Sequence, residues 1–321
     1  MTHRLLSLII PSRNDTYMGP SNWRLETTIN FLATELEKIN RLEHTEVVVV
    51  DWGSKIPLHS VLSLTNSARR ITRFILVPVA VHDAVRKDSD FPDSIALNVG
   101  IRRSFGSFIC QTGNDILWPE HFLQPLFAML EGDKTITTPV EKTQMIFSRK
   151  HIPWEIVSEK PTTKYLDDFI KRYDLEIPVE PLNPFFLAPG GSVIMHRNMW
   201  CECRGYDETL IYWGANDVNL TLRMKLRYHA MDMGKEKGMH VYHLQHYTNP
   251  GHRPVRRKKE NPIIFGPFAV NNHDWGLRSH RFEEFPSTQL KTVSSSIYDG
   301  KAVTPANYKK IHLKNIITFT L

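Results

Sequence analysis

The chain is predicted to fold as an α/β protein: a doubly wound, mostly parallel sheet flanked by helices, with a C-terminal extension. Three observations predict it. The runs from Leu5 to Ile10 and from Glu46 to Val50 are apolar and of strand length, and Val47 to Val50 are β-branched on both faces, as in a central parallel strand covered by helices. Helical and strand-like patterns alternate around these runs. Polar residues of unusual type collect directly after the strands, where open parallel sheets gather the loops that bind ligands.

Element by element, Leu25, Ile29, Leu32, Leu36 and Ile39 recur at helical spacing through Asn40, which makes strand-then-helix the opening unit. Phe74-Ile-Leu-Val77 repeats the strand signal after a polar helical segment. A helical stretch from Ser94 to Arg103 and a strand from Ser107 to Gln111 complete a third repeat, so the parallel sheet is expected at least through Leu130. Residues 131–189 are rich in proline and poor in periodicity, and read as a variable connection with short helices that supplies one side of a cleft. Order returns with a strand over Gly191-Ser-Val-Ile-Met-His196, a helix from about Ala215 to Tyr228, and an apolar, histidine-bearing segment from Met239 to His246. The expected organisation is a domain over 1–250, in halves 1–130 and 131–250, followed by an extension over 251–321 that ends in a strand-like Ile316-Ile-Thr-Phe-Thr-Leu321.

Composition excludes several classes. With 41% apolar and 23% charged residues the chain can bury a sizeable core. Its three cysteines, two of them Cys201 and Cys203, cannot build a disulfide framework, and no second close pair exists to make a zinc site with them, so a reducing, cytoplasmic setting is expected. Pro11 ends the first apolar run before any signal-like cleavage site, and no run of about 18 apolar residues follows. A net charge of +6 favours an anionic partner such as a diphosphate, a lipid surface or nucleic acid. The basic run His252-Arg-Pro-Val-Arg-Arg-Lys-Lys-Glu260 reads either as a solvated loop or as a phosphate- or lipid-facing one. No RNA- or DNA-reading motif accompanies it, so nucleic acid is not an expected partner. Pro11-Ser-Arg-Asn-Asp15 has none of the glycines that a dinucleotide or nucleotidyltransferase loop needs straight after the first strand.

The most informative stretch is Gly205-Tyr-Asp-Glu-Thr-Leu-Ile-Tyr-Trp-Gly-Ala-Asn-Asp217, which sets acids beside aromatics just before a helical pattern. Aromatic faces cover the apolar side of a sugar ring, and a nearby carboxylate can take a proton from a sugar hydroxyl. The plainer reading is a Gly-Tyr turn leading into a buried helix that Asp217 caps. Asp51 ends an otherwise apolar strand and could accept from a uracil or ribose edge, or simply form a turn. Asp115 follows a strand and a glycine, and could hold Mg²⁺ or Mn²⁺ while a diphosphate supplies further oxygens, or close an Asx-turn. His243 and His246, spaced i,i+3, could join a carboxylate around a borderline cation such as Mn²⁺, or be ordinary polar packing.

Taken together, the segments from Leu5 to Tyr247 resemble the GT-A class of nucleotide-sugar glycosyltransferases, of the family-2 type with a galactosyltransferase-like second half. The resemblance implies a GT-A fold with a nucleotide-sugar-binding half over 1–130 and an acceptor and catalytic half over 131–250. The family's Pro-x-Arg/Tyr-Asn and Val-Asp-x-Gly-Ser turns, which hold the nucleotide, correspond to Pro11-Ser-Arg13-Asn14 and Val50-Asp51-Trp-Gly53-Ser54. Its Ala-Arg-Asn-x-Gly helix appears as Ala96-Leu97-Asn98-Val99-Gly100. Leu97 replaces the usual Arg, so that diphosphate contact is missing or passes to Arg102 or Arg103. The Asp-x-Asp motif becomes Gly113-Asn114-Asp115 and keeps only its second acid. Trp213-Gly214-Ala215-Asn216-Asp217 stands for Trp-Gly-x-Glu-Asp, which puts Asp217 in the place of the catalytic base and Asn216 in that of an acid that helps hold the acceptor, beside Asp207, Tyr212 and Trp213. His243 or His246 matches a late histidine that completes metal coordination, and the sequence does not choose between them.

What the resemblance implies is a hexosyltransferase-like enzyme using Mn²⁺ or Mg²⁺. It would move a sugar from a nucleoside-diphosphate sugar, a UDP-sugar in the first instance, to a glycan or lipid-linked acceptor in polysaccharide biosynthesis. Transfer would invert the anomeric centre, with Asp217 as general base, and the expected setting is the cytoplasm, peripheral to the inner face of an anionic membrane. A retaining transferase and a non-catalytic nucleotide- or glycan-binding module remain open, the latter because Gly113 stands where an acid is usual.

Overall fold

A computed structural model of the chain describes residues 4–17, 19–132, 139–183, 187, 192–246 and 259–286. It divides into the units Met1–Thr288 and Gln289–Leu321, and the second, with the strand expected near residue 316, lies outside the described residues. The strands are β1 (Leu6–Ser12), β2 (Thr45–Trp52), β3 (Thr72–Val77), β4 (Phe108–Gln111), β5 (Ile116–Leu117), β6 (Thr143–Phe147), β7 (Arg149–Ile152), β8 (Val179–Glu180), β9 (Ser192–His196), β10 (His229–Asp232), β11 (Val241–Leu244) and β12 (Glu283–Phe285). Eight form one sheet in the order β10-β6-β9-β4-β1-β2-β3-β12, in which only β9 and β12 run against their neighbours. This is the expected mostly parallel sheet.

Alternate residues of the central strands feed two apolar layers. Leu6, Leu8, Ile10, Val47 and Val49 pack with the Ser21–Lys38 helix through Leu25, Ile29, Leu32 and Leu36. Ile9, Val48, Val50 and Ile75 pack with the Asp93–Arg103 helix on the other side. Gly100 is what lets that helix close on the sheet, because a Cβ there would lie 2.4 Å from Ile9 Cγ2 and 2.9 Å from Val50 Cγ2. Pro11 is tolerated in β1 because β4 stops pairing opposite Ile9, which leaves the strand one neighbour at that point.

Residues 131–189 depart from the sequence expectation. They contain β6, which joins the main sheet, and β7 and β8, which with β5 and β11 build a second sheet in the order β5-β11-β7-β8. Leu166 and Ile170 of the Thr163–Tyr173 helix cover this small sheet together with Phe31, Leu117, Ile152, Tyr242 and Leu244. Strands of two to five residues, half of them polar, carry too little periodicity to be read without their partners. Residues 259–286, which the sequence places in an extension, contribute β12 to the main sheet and pack on the Asp93–Arg103 helix: Arg102 lies over the Trp275 ring at 4.6 Å, and Arg103 donates to the carbonyls of Gly276, Leu277 and His280. Both arginines are thereby used in packing, away from the role in diphosphate binding that the missing Arg at position 97 suggested. No described helix is long and apolar enough to cross a membrane.

Candidate functional site

The second sheet assembles the first part of the site. β5 begins directly after Asp115 and pairs antiparallel with β11, so that Ile116 lies opposite His243 and the Asp115 carbonyl accepts from Leu244 N–H at 2.8 Å. That pairing brings a loop at the end of β4 against a strand more than a hundred residues away. Asp115 Oδ2 lies 3.4 Å from His243 Nε2 and 3.2 Å from His246 Nε2, and the two imidazole nitrogens are 3.2 Å apart. One ligand atom from each of the three residues fits within 4.8 Å. Both His243 and His246, between which the sequence leaves the choice open, lie beside Asp115.

Burial and charge act in opposite senses on Asp115 and His243. Burial is the largest influence on His243 and holds its imidazole down at about 4, against the pull of Asp115. Burial would raise Asp115, but the two histidines outweigh it and hold its carboxyl well below the usual range. An ionised Asp115 beside a neutral His243 turns a carboxylate oxygen and an imidazole nitrogen toward the same point, an arrangement that could hold a cation. One carboxylate oxygen and two imidazole nitrogens suit a borderline first-row ion better than Mg²⁺ or Ca²⁺, which prefer all-oxygen shells.

A carboxylate pair forms the second part. Asp93 opens the Asp93–Arg103 helix and Asp217 is the second residue of the Asn216–Lys225 helix. That helix has Ala215 at its N-cap position, in the left-handed region, and no side chain caps it. Asp217 is therefore not the cap that the plainer sequence reading makes it. Burial, then the neighbouring charge of Asp93, pushes Asp217 up to about 7, with Arg149 and a hydrogen bond from Tyr206 pulling the other way. Burial likewise raises Asp93 to about 6, against a hydrogen bond from Asn216. The positive end of the helix would favour ionisation, and burial outweighs it here. Asn216 sits between the two halves of this arrangement, bonded to Asp93 and accepting from Asn261 Nδ2 at 2.9 Å. An acid at 216 would add a third negative charge beside Asp93, which gives the amide a physical reason.

Other sequence-predicted residues fall into three groups. On the rim, Trp213 is 46% exposed, and the Tyr212 hydroxyl donates to Asp88 at 2.5 Å with Lys259 over its ring at 5.4 Å. At the strand ends, Asp51 accepts from the Ser54 hydroxyl and from Leu58 N–H at 2.7 Å, and burial raises its carboxyl against these bonds. Asp51 and Ser54 line a depression of about 210 Å³ with Pro57, Leu76, Val77, Pro78 and Glu283. Arg13, which follows β1, binds Asp15 at 2.9 Å and the Asp90 carbonyl at 2.9 Å, and Pro11 lies within the strand before it. Asn14 ties that loop to the next through Ser54 and the Ile56 carbonyl, and Asn114 donates to Ser21 Oγ at 3.2 Å.

The third group lies beneath the surface. Asn98 is fully buried, donates to the Tyr206 carbonyl and Glu208, and accepts from Tyr206 N–H at 2.8 Å. It fastens a helix to the Gly-Tyr turn, where the sequence places it against a donor. Asp207 is also buried; its Oδ1 accepts from the N–H and hydroxyl of Thr209 at 2.9 and 2.7 Å and closes a turn, while its Oδ2 has no hydrogen-bond partner among the described residues.

Sequence reasoning missed Asp93, Arg149, His151 and Glu180. Asp93 begins a helix in a position that reads as an ordinary first-turn acid. The other three lie in the stretch without clear periodicity, where only the short apolar run Met145-Ile-Phe147 hints at a strand. A cavity of about 400 Å³ lies elsewhere: it is lined by Lys150 and Tyr242, whose side chains alternate with those of His151 and His243 along β7 and β11, and it touches none of the strand-end loops. The basic run from 252 to 258 lies outside the described residues.

No family model and no curated protein matches the chain. Among solved structures it is similar to S. aureus TarS residues 1–349, with a TM-score of 0.38 and 16% identity over 75% of this chain and 60% of that one. It is similar to S. aureus TarS, with a TM-score of 0.41 and 17% identity over 75% of this chain and 37% of that one. The complex of TarS 1–349 with UDP gives 0.40 and 17% over 75% and 60%. This chain spans less than two thirds of each. The chemistry rests on the chain's own residues: a mostly parallel α/β sheet that carries a carboxylate–imidazole cluster and a pair of buried carboxylates.

Proposed function

We propose that this protein is a metal-dependent glycosyltransferase of the GT-A type, moving a sugar from a nucleoside-diphosphate sugar to a hydroxyl of a glycan or lipid-linked acceptor. The observation that carries the proposal is the action of one cation on two centres. Arg149 is one of the charges that lower the proton affinity of both Asp217 and His243, which links the base to the ligand cluster electrostatically. A carboxylate that titrates near neutrality beside a site for a divalent ion and a fixed positive charge suits displacement of a diphosphate by a hydroxyl.

Asp115, His243 and His246 would hold the ion, Mn²⁺ in preference to Mg²⁺, and when bound it supplies charge neutralisation to the leaving diphosphate. Arg149 adds a second positive charge on the same side. The acceptor hydroxyl gives its proton to the Asp217 carboxylate as its oxygen bonds to the anomeric carbon and the bond to the diphosphate breaks. Attack from the face opposite the leaving group inverts the configuration. Tyr206 stands beside Asp217 and tempers its proton affinity, and Asp93 keeps it basic. The Asp51 depression is the place for a nucleobase or ribose, uridine in the first instance, and exposed Tyr212 and Trp213 offer faces to an acceptor sugar. A cytoplasmic enzyme bound at an anionic membrane surface completes the reading, motivated by the basic run after residue 251.

The test is turnover of a panel of nucleotide-sugars with Mn²⁺, Mg²⁺ and chelator, with simple glycans, polyprenyl-linked sugars or water as acceptor. Metal-dependent release of nucleoside diphosphate from at least one donor is expected. Binding of nucleotide-sugar with no turnover on any acceptor would favour the non-catalytic module, and an anomeric product of unchanged configuration would replace inversion by retention.

A further inference from the structure

The cluster of Asp115, His243 and His246 is backed by a second line of polar groups for which the reaction sketched above has no use. β7 runs parallel to β11 with His151 in register with His243, and residues paired in this way project from the same face of a sheet. His151 Nδ1 lies 3.1 Å from His243 Nδ1. The far nitrogen of the same ring, Nε2, lies 2.9 Å from Glu180 Oε2. Glu180 is placed there by β8, which pairs antiparallel with β7 and sets Glu180 opposite Arg149, and the same carboxylate accepts from Arg149 Nε. Side chains from β8, β7 and β11 therefore form one continuous line, carboxylate to imidazole to imidazole, that ends on the cluster.

The direction of the protons along this line follows from what each group can do. An ionised carboxylate only accepts, so the His151 tautomer that serves Glu180 has its proton on Nε2 and presents a lone pair at Nδ1. His243 must then donate through Nδ1–H. Its own lone pair is left on Nε2, the atom that converges with Asp115 Oδ2 and His246 Nε2. The opposite tautomer of His243 would aim an N–H at the place where a cation should sit.

We infer that His151 and Glu180 are positioning residues for a metal centre: they hold His243 in the Nδ1–H tautomer and fix its ring so that Nε2 faces the ion. This role rests on the reading of Asp115, His243 and His246 as a divalent-cation site. Glu180 serves a second purpose at the same time, because the carboxylate that orients His151 also anchors Arg149. The metal centre and the fixed charge beside Asp217 are tied to one side chain. Outer hydrogen-bond partners of ligating histidines commonly carry 10- to 100-fold in metal affinity, roughly, by fixing tautomer and orientation.

Two measurements test it. Long-range ¹H–¹⁵N NMR on the intact metal-free protein reads the imidazole tautomers directly, and His243 is expected with its proton on Nδ1 and His151 with its proton on Nε2. A His243 proton on Nε2 overturns the proposal without any variant being made. Mn²⁺ affinity, followed by the loss of the free-ion EPR signal, is then compared across variants of matched melting behaviour. His151→Leu should weaken binding by on the order of 10- to 100-fold, and His151→Gln, whose amide oxygen can still accept from Nδ1–H, should recover most of it. Glu180→Leu should weaken it by a smaller factor and return His243 to a mixture of tautomers. Equal affinities for the parent and His151→Leu, or equal losses in the Leu and Gln variants, overturn the orienting role while leaving the metal site standing. A parent that binds Mn²⁺ no better than Asp115→Ala removes the metal site itself, and this role with it.

Discussion

The negative charge of Asp93 raises the proton affinity of Asp217, and the two carboxyls lie at the first turns of two helices that come together from opposite halves of the chain. Burial does most of the work on Asp217 and the like charge adds to it, which brings the carboxyl to about 7. A base must be ionised to act, so transfer should rise with pH through this value. Asp93→Asn removes the like charge while keeping a partner for Asn216, and its rising limb should move to lower pH. Initial rates from pH 5 to 9 on parent and variant check this, and a limb that stays in place would separate Asp93 from the base.

The same pair makes a stability prediction of definite sign. Both carboxyls have folded-state values above their unfolded ones, so the stability they contribute is present in acid and is lost as pH rises through about 6 for Asp93 and about 7 for Asp217. Asp93→Asn and Asp217→Asn should each melt a few degrees above the parent at pH 8. That advantage should vanish near pH 4. Thermal melts at the two pH values decide it.

Asp217→Asn keeps shape but cannot accept a proton, so turnover should fall by on the order of 100- to 10,000-fold with donor affinity preserved. Calorimetry of donor binding beside product formation separates the two quantities. Near-parent turnover would take Asp217 out of the mechanism and make Asp93 the next carboxylate to examine.

His243→Ala and His246→Ala should both raise the Mn²⁺ concentration needed for half-maximal nucleotide-diphosphate binding by more than about tenfold, since both rings converge on Asp115. Asp115→Ala should weaken that binding strongly with Mn²⁺ present and little without it. Titrations of UDP at several metal concentrations show whether the loss runs through the ion.

Gly205→Ala should destabilise the protein by about 1–3 kcal/mol, because the residue has φ +70° and a Cβ would lie 2.1 Å from Asn98 Oδ1. Gly214→Ala, at φ +78° with nothing within 4 Å, should cost only the backbone term, about 1 kcal/mol. Denaturant melts of the pair check that Asn98 works by gripping the Gly-Tyr turn, and equal losses would argue against it.

The parallel half of the fold was legible because its strands carry their signal locally. β2 is apolar on both faces and the helices beside it repeat at their own period, so Val47–Val50 and Leu25–Leu36 announce themselves without partners. Asp115, Asp217, His243 and His246 stood out as candidates because each is a reactive residue type close to a strand or helix that the pattern marks. The sequence by itself could not tell ligand from brace. Asn98 and Asn14 are of the right type in the right segments, yet their side-chain amides are taken by a turn and neighbouring loops, and only the packed structure decides which polar groups remain for a ligand. Tertiary structure also decided everything that depends on pairing across distance. Arg149, His151 and Glu180 lie on strands of two to four residues that exist because β11 and β7 line up, and Asp93 becomes more than a first-turn acid only when the Asn216–Lys225 helix brings Asp217 beside it. Hydrophobic periodicity is a local property of a chain, whereas the proton affinity of a buried carboxyl and the convergence of three ligand atoms are set by neighbours that the sequence does not place.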